Sequence, residues 1–180
     1  MSLDITFTLS EEDLEHFKQV LNESKKNLSN TPKAEIIAKA KSLSQSIGDN
    51  VPEFIASRLA NLDTLVAMAE DPQWDFEPEE KEDIMSALAY FADEHDLIAD
   101  DIPVLGLMDD AIMIELVSLD LGEDIEAYTE YCAYRNNTVN PEATKEDWLE
   151  AKRKELYSRM RTRRKNRRRG GGSGFKGIFR

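Results

Sequence analysis

The sequence predicts an all-α protein of about seven helices, and three observations lead to this prediction. Apolar residues recur at helical spacing over nearly the whole chain. Capping residues, prolines and glycines divide that pattern into segments of helical length. The chain has 180 residues, of which 41% are hydrophobic. That is enough for the core of one domain, because a domain of this size buries roughly two thirds of its unfolded surface.

The first part of the chain is predicted to contain a short extended arm followed by three helices. Residues 5–9 alternate between apolar and polar, which is typical of a half-buried strand. They predict an arm that packs on the body or pairs with a second copy of the chain. Ser10, followed by three acidic residues, caps a helix from about 11 to 28. Two further helices are opened by Pro32 and Pro52.

The middle of the chain is predicted to hold a turn, a fourth helix and a buried central helix. Residues 71–74 break the helical pattern, and Pro78 opens a helix that runs through Phe91. In the segment of about 107–121, apolar residues spread round the whole circumference when they are projected at about 100° per residue. A helix that is apolar on all sides is buried in the middle of a bundle.

The last part of the chain is predicted to contain two helices and a tail. Gly122 and Asp124 are predicted to end the central helix and to separate it from a sixth helix over about 125–132. Thr144 caps a last helix whose apolar residues run over 148–160. The predicted architecture is therefore about seven helices round a central one, with an extended N-terminal arm and a disordered C-terminal tail.

Net charge divides the chain into an acidic body and a basic tail. The whole chain has a formal net charge of −13. Residues 152–180 contain thirteen Lys or Arg and one acid, a charge of +12, which leaves −25 for residues 1–151. An asymmetry of this kind indicates an interaction tail. We therefore expect an acidic helical domain, residues 1–160, and a basic tail rich in glycine and arginine, residues 161–180.

The sequence also predicts a cytoplasmic protein. Its N-terminus has no basic start and no long apolar stretch, so it does not resemble a secretory signal or a transit peptide. The apolar run 102–108 is far shorter than the about 20 residues of a membrane-spanning helix. The single cysteine, Cys132, cannot form an intramolecular disulfide, which suits a reducing compartment. We interpret Cys132 as a small buried hydrophobe and not as a nucleophile.

One segment, about 87–121, carries a recognisable pattern that begins ALAYFADEHDLIADDIPVLGLMDDA. It resembles the signature of the YkvA-like family, which consists of small helical bacterial domains of unknown function. His95 and Ala99 stand where the family usually has proline, which removes two backbone constraints from the loop. The resemblance implies a helical fold in a cytoplasmic or membrane-associated protein, and it implies no reaction. The matching residues are Ala87, Leu88, Tyr90, Phe91, Asp96, Leu97, Ile98, Asp100, Ile102, Pro103, Leu105, Gly106, Asp109, Asp110 and Ala111.

Acidic residues within the same segment form a candidate metal site. Carboxylate oxygens suit Mg²⁺, Mn²⁺ or Ca²⁺, and a histidine among them would bias the site toward a transition metal. Their spacing matches no established metal motif, so helix capping and loop hydrogen bonding are the favoured explanation. A metal-dependent enzyme is the alternative function, whereas no catalytic residue and no cofactor is predicted. The candidate ligands are Asp93, His95, Asp96, Asp100, Asp109 and Asp110.

The basic tail carries the main functional prediction. Between Met160 and Phe175 it contains no apolar residue, so it cannot pack into the core and must be solvated or bound. Arginine-rich segments often become ordered on nucleic acid through phosphate contacts. The aromatic tip at Phe175 and Phe179 suits a groove on a partner protein or a membrane interface. The predicted binding residues are Arg161, Arg163, Arg164, Lys165, Arg167, Arg168, Arg169, Phe175 and Phe179.

Three other interpretations of the tail remain open. It is a solubilising terminus, or it neutralises the acidic body within one chain or in a dimer, or its GGGSG stretch is an engineered linker. The sequence as a whole predicts a non-catalytic binding or adaptor module. Its tail is expected to contact nucleic acid or another polyanion, an anionic membrane surface or a partner protein. Oligomerisation through the N-terminal arm is a further expectation.

Overall fold

The computed structural model describes residues 8–27, 30–46, 52–74, 78–92, 107–137 and 145–169. Within these ranges the regular structure consists of α-helices without a strand, which confirms the predicted fold class. The helices described are α1 (Glu11–Asn27), α2 (Lys33–Ser46), α3 (Glu53–Glu70), α4 (Pro78–Tyr90), α5 (Met108–Asn137) and α6 (Lys145–Arg169).

The start of α1 shows why the helix begins where the sequence predicts. The backbone N–H of Ser10 and its hydroxyl both donate to Asp13 Oδ2, each at 2.7 Å. The N–H of Asp13 donates back to Ser10 Oγ at 3.2 Å. This reciprocal pairing satisfies an N–H group that the first turn of a helix leaves free. The hydrogen bonds from Ser10 also hold the pKa of Asp13 below its ordinary value.

The helices pack with α5 between α3 and α6, while α4 contacts α1, α2 and α3. Near the start of α3, Arg58 Nε lies 3.1 Å from Glu115 Oε2, and beyond its end Asp71 accepts a hydrogen bond from Tyr128. Since both residue numbers rise together, α3 and α5 run in the same direction. Large aliphatic side chains of α3, α4 and α5 that are at most 1% exposed form the centre of the core, among them Ile55, Leu62, Leu65, Met68, Ile84, Leu88, Met113 and Ile114.

The first half of α5 is the buried central helix that the sequence predicts. Ala111, Met113 and Leu116 are at most 5% exposed and point to different sides of the helix. One side nevertheless opens toward solvent, since Leu119 is 55% exposed. The apolar pattern of this half of α5 therefore corresponds to a helix that is buried on most of its sides, with one side exposed.

The break predicted at Gly122 and Asp124 is wrong, because α5 continues as one helix through both residues to Asn137. A glycine inside a helix costs only about 1 kcal/mol relative to alanine. The flanking side chains are buried, with Leu121 at 2% and Asp124 at 1% exposure, so tertiary packing outweighs that cost. The predicted central helix and the predicted helix at 125–132 are therefore two parts of α5.

The turn at residues 71–74 is confirmed as a break, and it is also the joint between α5 and α6. Trp74 is fully buried, and its ring centroid lies 5.4 Å from that of Tyr128 and 5.1 Å from those of Tyr131 and Tyr157. Tyr128 and Tyr131 belong to α5, whereas Tyr157 belongs to α6. The indole therefore connects the turn to both helices.

Hydrogen bonds to the backbone of this turn reinforce the aromatic contacts. The Tyr157 hydroxyl donates to the Trp74 carbonyl at 2.8 Å. The Gln73 carbonyl accepts from the Tyr131 hydroxyl at 3.3 Å and from Arg153 Nη1 at 3.2 Å. Burial raises the pKa of Tyr131, so its hydroxyl keeps its proton over a wider pH range than a free tyrosine does.

The C-terminal helix differs from the prediction of a disordered tail from residue 161, because α6 continues to Arg169. Arginine and lysine are good helix formers, and residues 145–169 contain neither glycine nor proline. Helical structure needs no apolar side chain once α6 has been nucleated by its packed first half. The predicted boundary between residues 160 and 161 therefore follows the last buried side chain described on α6, and it is not the end of the helix.

Most of the predicted N-terminal arm lies outside the described residues. At the edge of the described part, Leu9 is half-buried against the core. None of the helices in the described ranges is long and apolar enough to cross a membrane.

Candidate functional site

The basic residues of α6 fall into two stripes with different surroundings. The first stripe faces α5, which runs antiparallel to α6. Lys152 Nζ lies 2.9 Å from Glu130 Oε1, and Arg159 also contacts that carboxylate. Further along, Arg163 Nη1 lies 2.6 Å from Glu126 Oε2. The basic residues of this stripe therefore neutralise carboxylates of the acidic body within the same chain. This agrees with one of the three other interpretations of the tail.

Glu130→Gln is expected to destabilise the protein at neutral pH and to have no effect at acid pH. Hydrogen bonds from Arg159 and then Lys152 hold the pKa of Glu130 below its ordinary value of 4.5. A lowered folded-state pKa adds stability above the unfolded-state pKa, and this stability is lost as the pH falls through the folded-state value. We expect a loss of about 0.5–1 kcal/mol at neutral pH, because the carboxylate is partly exposed and screened.

Urea unfolding of the wild type and of Glu130→Gln between neutral pH and about pH 2 measures this dependence. Glu150→Gln is the control, since Glu150 pairs with Lys154 within α6 and does not reach α5. A difference between wild type and Glu130→Gln that persists at the acid end would contradict the ion-pair explanation.

The second stripe lines an open groove on the other flank of α6. The groove has a volume of about 370 Å³. Lys154, Arg161 and Lys165 provide three cations, and Ser158 and Thr162 place hydroxyl groups between them. Among the described residues, no carboxylate lines it. The described residues that line it are Lys154, Tyr157, Ser158, Arg161, Thr162 and Lys165.

Acidic side chains lie beside two of the groove cations. Arg161 Nε lies 4.0 Å from Glu80 Oε1 at the start of α4, which is beyond hydrogen-bond distance. Lys154 pairs with Glu150 one turn earlier, but both side chains are more than half exposed. Exposed pairs of this kind contribute at most about 1 kcal/mol. Lys154, Arg161 and Lys165 are all exposed, so an external anion can reach them.

The basic extension of α6, residues 161–169, follows the last buried side chain described on that helix. Met160 is 2% exposed, whereas Arg161, Arg163 and Lys165 are all exposed. Seven of the nine residues in the extension are Lys or Arg, and none is acidic. At 1.5 Å per residue the extension is about 13 Å long. It combines high positive charge with a regular backbone.

The structure thus brings together some of the predicted binding residues and adds others. Arg161, Arg163 and Lys165 lie on α6 as described, and positions 164 and 167–169 belong to the same helix. The predicted apolar tip at Phe175 and Phe179 lies outside the described residues. The sequence interpretation missed Lys154, Ser158 and Thr162, although their spacing from Arg161 and Lys165 by three, four and seven positions marks one helical face.

The candidate metal ligands receive only a partial description. Asp109 and Asp110 lie in the first turn of α5 and are 3% and 5% exposed, at the position where the sequence predicts capping carboxylates. In the described ranges no group of three or more His, Cys, Asp or Glu side chains is arranged to hold a metal ion. The other four candidates, Asp93, His95, Asp96 and Asp100, lie outside those ranges.

Fold and site together define an all-α protein in which a strongly basic helix extends from an acidic helical body. Residues 84–116 match the model of a family described as a protein of unknown function (DUF1232). This match confirms that the segment resembles a family without an assigned function. No curated protein and no solved structure matches the chain.

The matched segment lies apart from the basic helix. It covers the second half of α4 and the beginning of α5, where Ile84, Leu88 and Ile114 are at most 1% exposed. The part shared with the family therefore contributes to the core, and α6 lies wholly outside the match. A function for α6 has to be argued from its own residues.

Proposed function

We propose that this protein is a non-catalytic binding module that takes nucleic acid on the basic end of α6. One observation carries the proposal: α6 stays helical from its last described buried residue, Met160, to Arg169, over a stretch in which seven of nine residues are basic. Phosphate groups are the anions that such a density of guanidinium groups binds best, since arginine forms two parallel hydrogen bonds to a phosphate.

The charge of the body supports a contact confined to α6. Residues 1–151 carry a net charge of −25, so most of the surface repels a polyanion. The first stripe of α6 is already paired with Glu126 and Glu130. The groove cations Lys154, Arg161 and Lys165 lie on the flank of α6 away from these carboxylates, whereas Arg163 of the extension pairs with Glu126. Nucleic acid binding is therefore expected to depend strongly on salt and to leave the rest of the body uninvolved.

A membrane surface fits the extension less well. Helices that lie in a membrane interface have an apolar face opposite the basic one. Residues 161–169 contain no apolar residue, so this part of α6 has no such face. A peripheral contact would have to rely on Phe175 and Phe179 at the tip. Anionic vesicles are therefore the natural comparison ligand in the test.

The test measures binding of a short fluorescent nucleic acid by anisotropy over about 50 to 200 mM salt. The triple substitution Arg161→Gln, Lys165→Gln and Arg168→Gln removes three charges from the extension. It is expected to weaken binding about 10- to 100-fold at about 0.1 M salt and to reduce the salt slope by about 2 to 3.

The matched control places the same charge change on the body. Lys26, Lys33 and Lys81 are exposed residues of α1, α2 and α4, and their triple substitution to Gln also removes three positive charges. It is expected to change affinity by no more than about threefold, because charges beyond a Debye length are screened. Equal losses in both triple variants would contradict a site on α6. So would binding to anionic vesicles without binding to nucleic acid.

A further inference from the structure

The distribution of charge round the extension indicates the shape of its ligand. Arg163 faces α5, where it pairs with Glu126. At about 100° per residue, the other six basic positions of residues 161–169 spread over about 200° of the helical circumference. Thr162 and Asn166 occupy the uncharged sector beside Arg163. A flat anionic surface would use only one side of such a helix. A ligand with phosphates on two facing walls would use most of the basic positions at once.

The major groove of B-form DNA has this geometry. It is about 12 Å wide and admits an α-helix, and phosphates line both of its edges. The extension is about 13 Å long, so it can lie within the groove while the acidic body stays outside. The major groove of an RNA duplex is deep and narrow and does not admit a helix in this way. A single strand offers only one row of phosphates.

The groove on α6 continues the same contact toward the body. Lys154, Arg161 and Lys165 are spaced by seven and four positions, so they form one stripe along the helix. Position 168 follows on that stripe. Ser158 lies beside it, and hydroxyl groups are common donors to phosphate oxygens. The Thr162 hydroxyl also lies beside it but donates to the Ser158 carbonyl at 2.9 Å. One strand of a duplex held by the extension would pass along this stripe.

From these observations we infer that the ligand is double-stranded DNA and that the extension enters its major groove as a helix. This inference rests on the proposed function, and it names both the ligand and the conformation in which it is bound. The contacts go to phosphates on both walls, so the binding is largely independent of base sequence. The helical state of residues 161–169 is what separates this mode from attraction by charge alone.

A substitution that breaks the helix without changing its charge tests the inference. Asn166 is exposed and lies in the uncharged sector of the extension. Asn166→Pro removes an intrahelical hydrogen bond and kinks the helix, whereas Asn166→Ala preserves it. Both variants keep every basic residue. The substituted position lies after Met160, the last described buried residue of α6. Circular dichroism and thermal unfolding establish that the body of each variant is folded.

Affinities for a B-form DNA duplex, its single strand and an RNA duplex of the same length are then measured at one salt concentration. We expect the wild type and Asn166→Ala to prefer the DNA duplex about 10-fold or more over the other two ligands. Asn166→Pro is expected to lose about 10-fold in DNA duplex affinity and to bind the single strand within about threefold of wild type.

The outcomes separate the two proposals. If the proline variant binds the DNA duplex as well as wild type does, insertion of a helix is wrong, although nucleic acid binding stands. Equal affinity of the wild type for all three nucleic acids would also show that insertion of a helix is wrong while nucleic acid binding stands. If the wild type binds none of them, the proposed function itself fails.

Discussion

Trp74→Ala is expected to lower the free energy of unfolding by about 3–5 kcal/mol, the usual cost of removing a fully buried large aromatic side chain. The indole is 0% exposed and packs against the rings of Tyr128, Tyr131 and Tyr157. Its removal leaves a cavity between the turn, α5 and α6, and the three tyrosines lose a common partner. For a domain of this size each kcal/mol lowers the melting temperature by about 2–4 °C.

The other tryptophan is a matched control. Trp148 is 39% exposed and stacks on Tyr134 at the beginning of α6, with ring centroids 6.4 Å apart. Trp148→Ala is expected to cost about 1 kcal/mol or less, since it loses one aromatic contact and leaves no enclosed cavity. Urea denaturation followed by circular dichroism compares the two variants. Equal destabilisation by both would show that Trp74 does not hold α5 and α6 together.

Asp71→Ala is expected to lower the free energy of unfolding by about 2–4 kcal/mol, because it removes a carboxylate that bonds a half-buried cation. Asp71 Oδ2 accepts from Arg135 Nη1 at 2.7 Å and from the Tyr128 hydroxyl at 3.2 Å. Its Oδ1 accepts from the N–H of Gln73 at 2.9 Å, which closes the turn. The side chain of Asp71 is only 9% exposed, so water replaces these contacts poorly.

Two further variants separate the roles of this carboxylate. Asp71→Asn keeps an oxygen for the Gln73 N–H but loses the charge opposite Arg135, so it is expected to be less destabilising than Asp71→Ala. Arg135→Gln combined with Asp71→Asn completes a double-mutant cycle. A coupling energy of about 1 kcal/mol or more is expected for a pair that is mostly shielded from water. A coupling near zero would mean that Asp71 acts through the turn alone.

Both predictions bear on the binding proposal, since the turn determines where α6 lies. Arg153 and Tyr157 of α6 donate to the carbonyls of Gln73 and Trp74. A variant that loosens the turn would also displace the groove residues, and a loss of binding would then be indirect. For this reason the binding tests use positions of α6 beyond Met160, its last described buried residue.

The sequence predicted those elements that depend on neighbouring residues along the chain. The capping pair of Ser10 and Asp13 and the buried start of α5 followed from local chemistry and hydrophobic spacing. The break predicted at Gly122 was wrong because a glycine lowers only the local helix propensity. The buried side chains of Leu121 and Asp124 keep the helix continuous there. The helical state of residues 161–169 was missed because low hydrophobicity was interpreted as disorder.

The candidate site shows the same division. Its positive charge is visible in the composition of the C-terminal segment. Which of its cations are neutralised is not visible, because Glu126 and Glu130 lie more than twenty positions earlier in the chain. The spacing of Lys154, Arg161 and Lys165 suggests one face, but only the packing of α6 shows that this face is open.

By itself, the sequence determined that this protein is helical, that its body is acidic and that its C-terminal segment is basic, since hydrophobic period and charge are properties of the chain alone. The tertiary structure decided that residues 71–74 join α5 to α6, that one stripe of α6 pairs with α5 and that the other lines an open groove. These outcomes depend on contacts between residues far apart in the chain, and only the folded packing brings such residues within reach of one another.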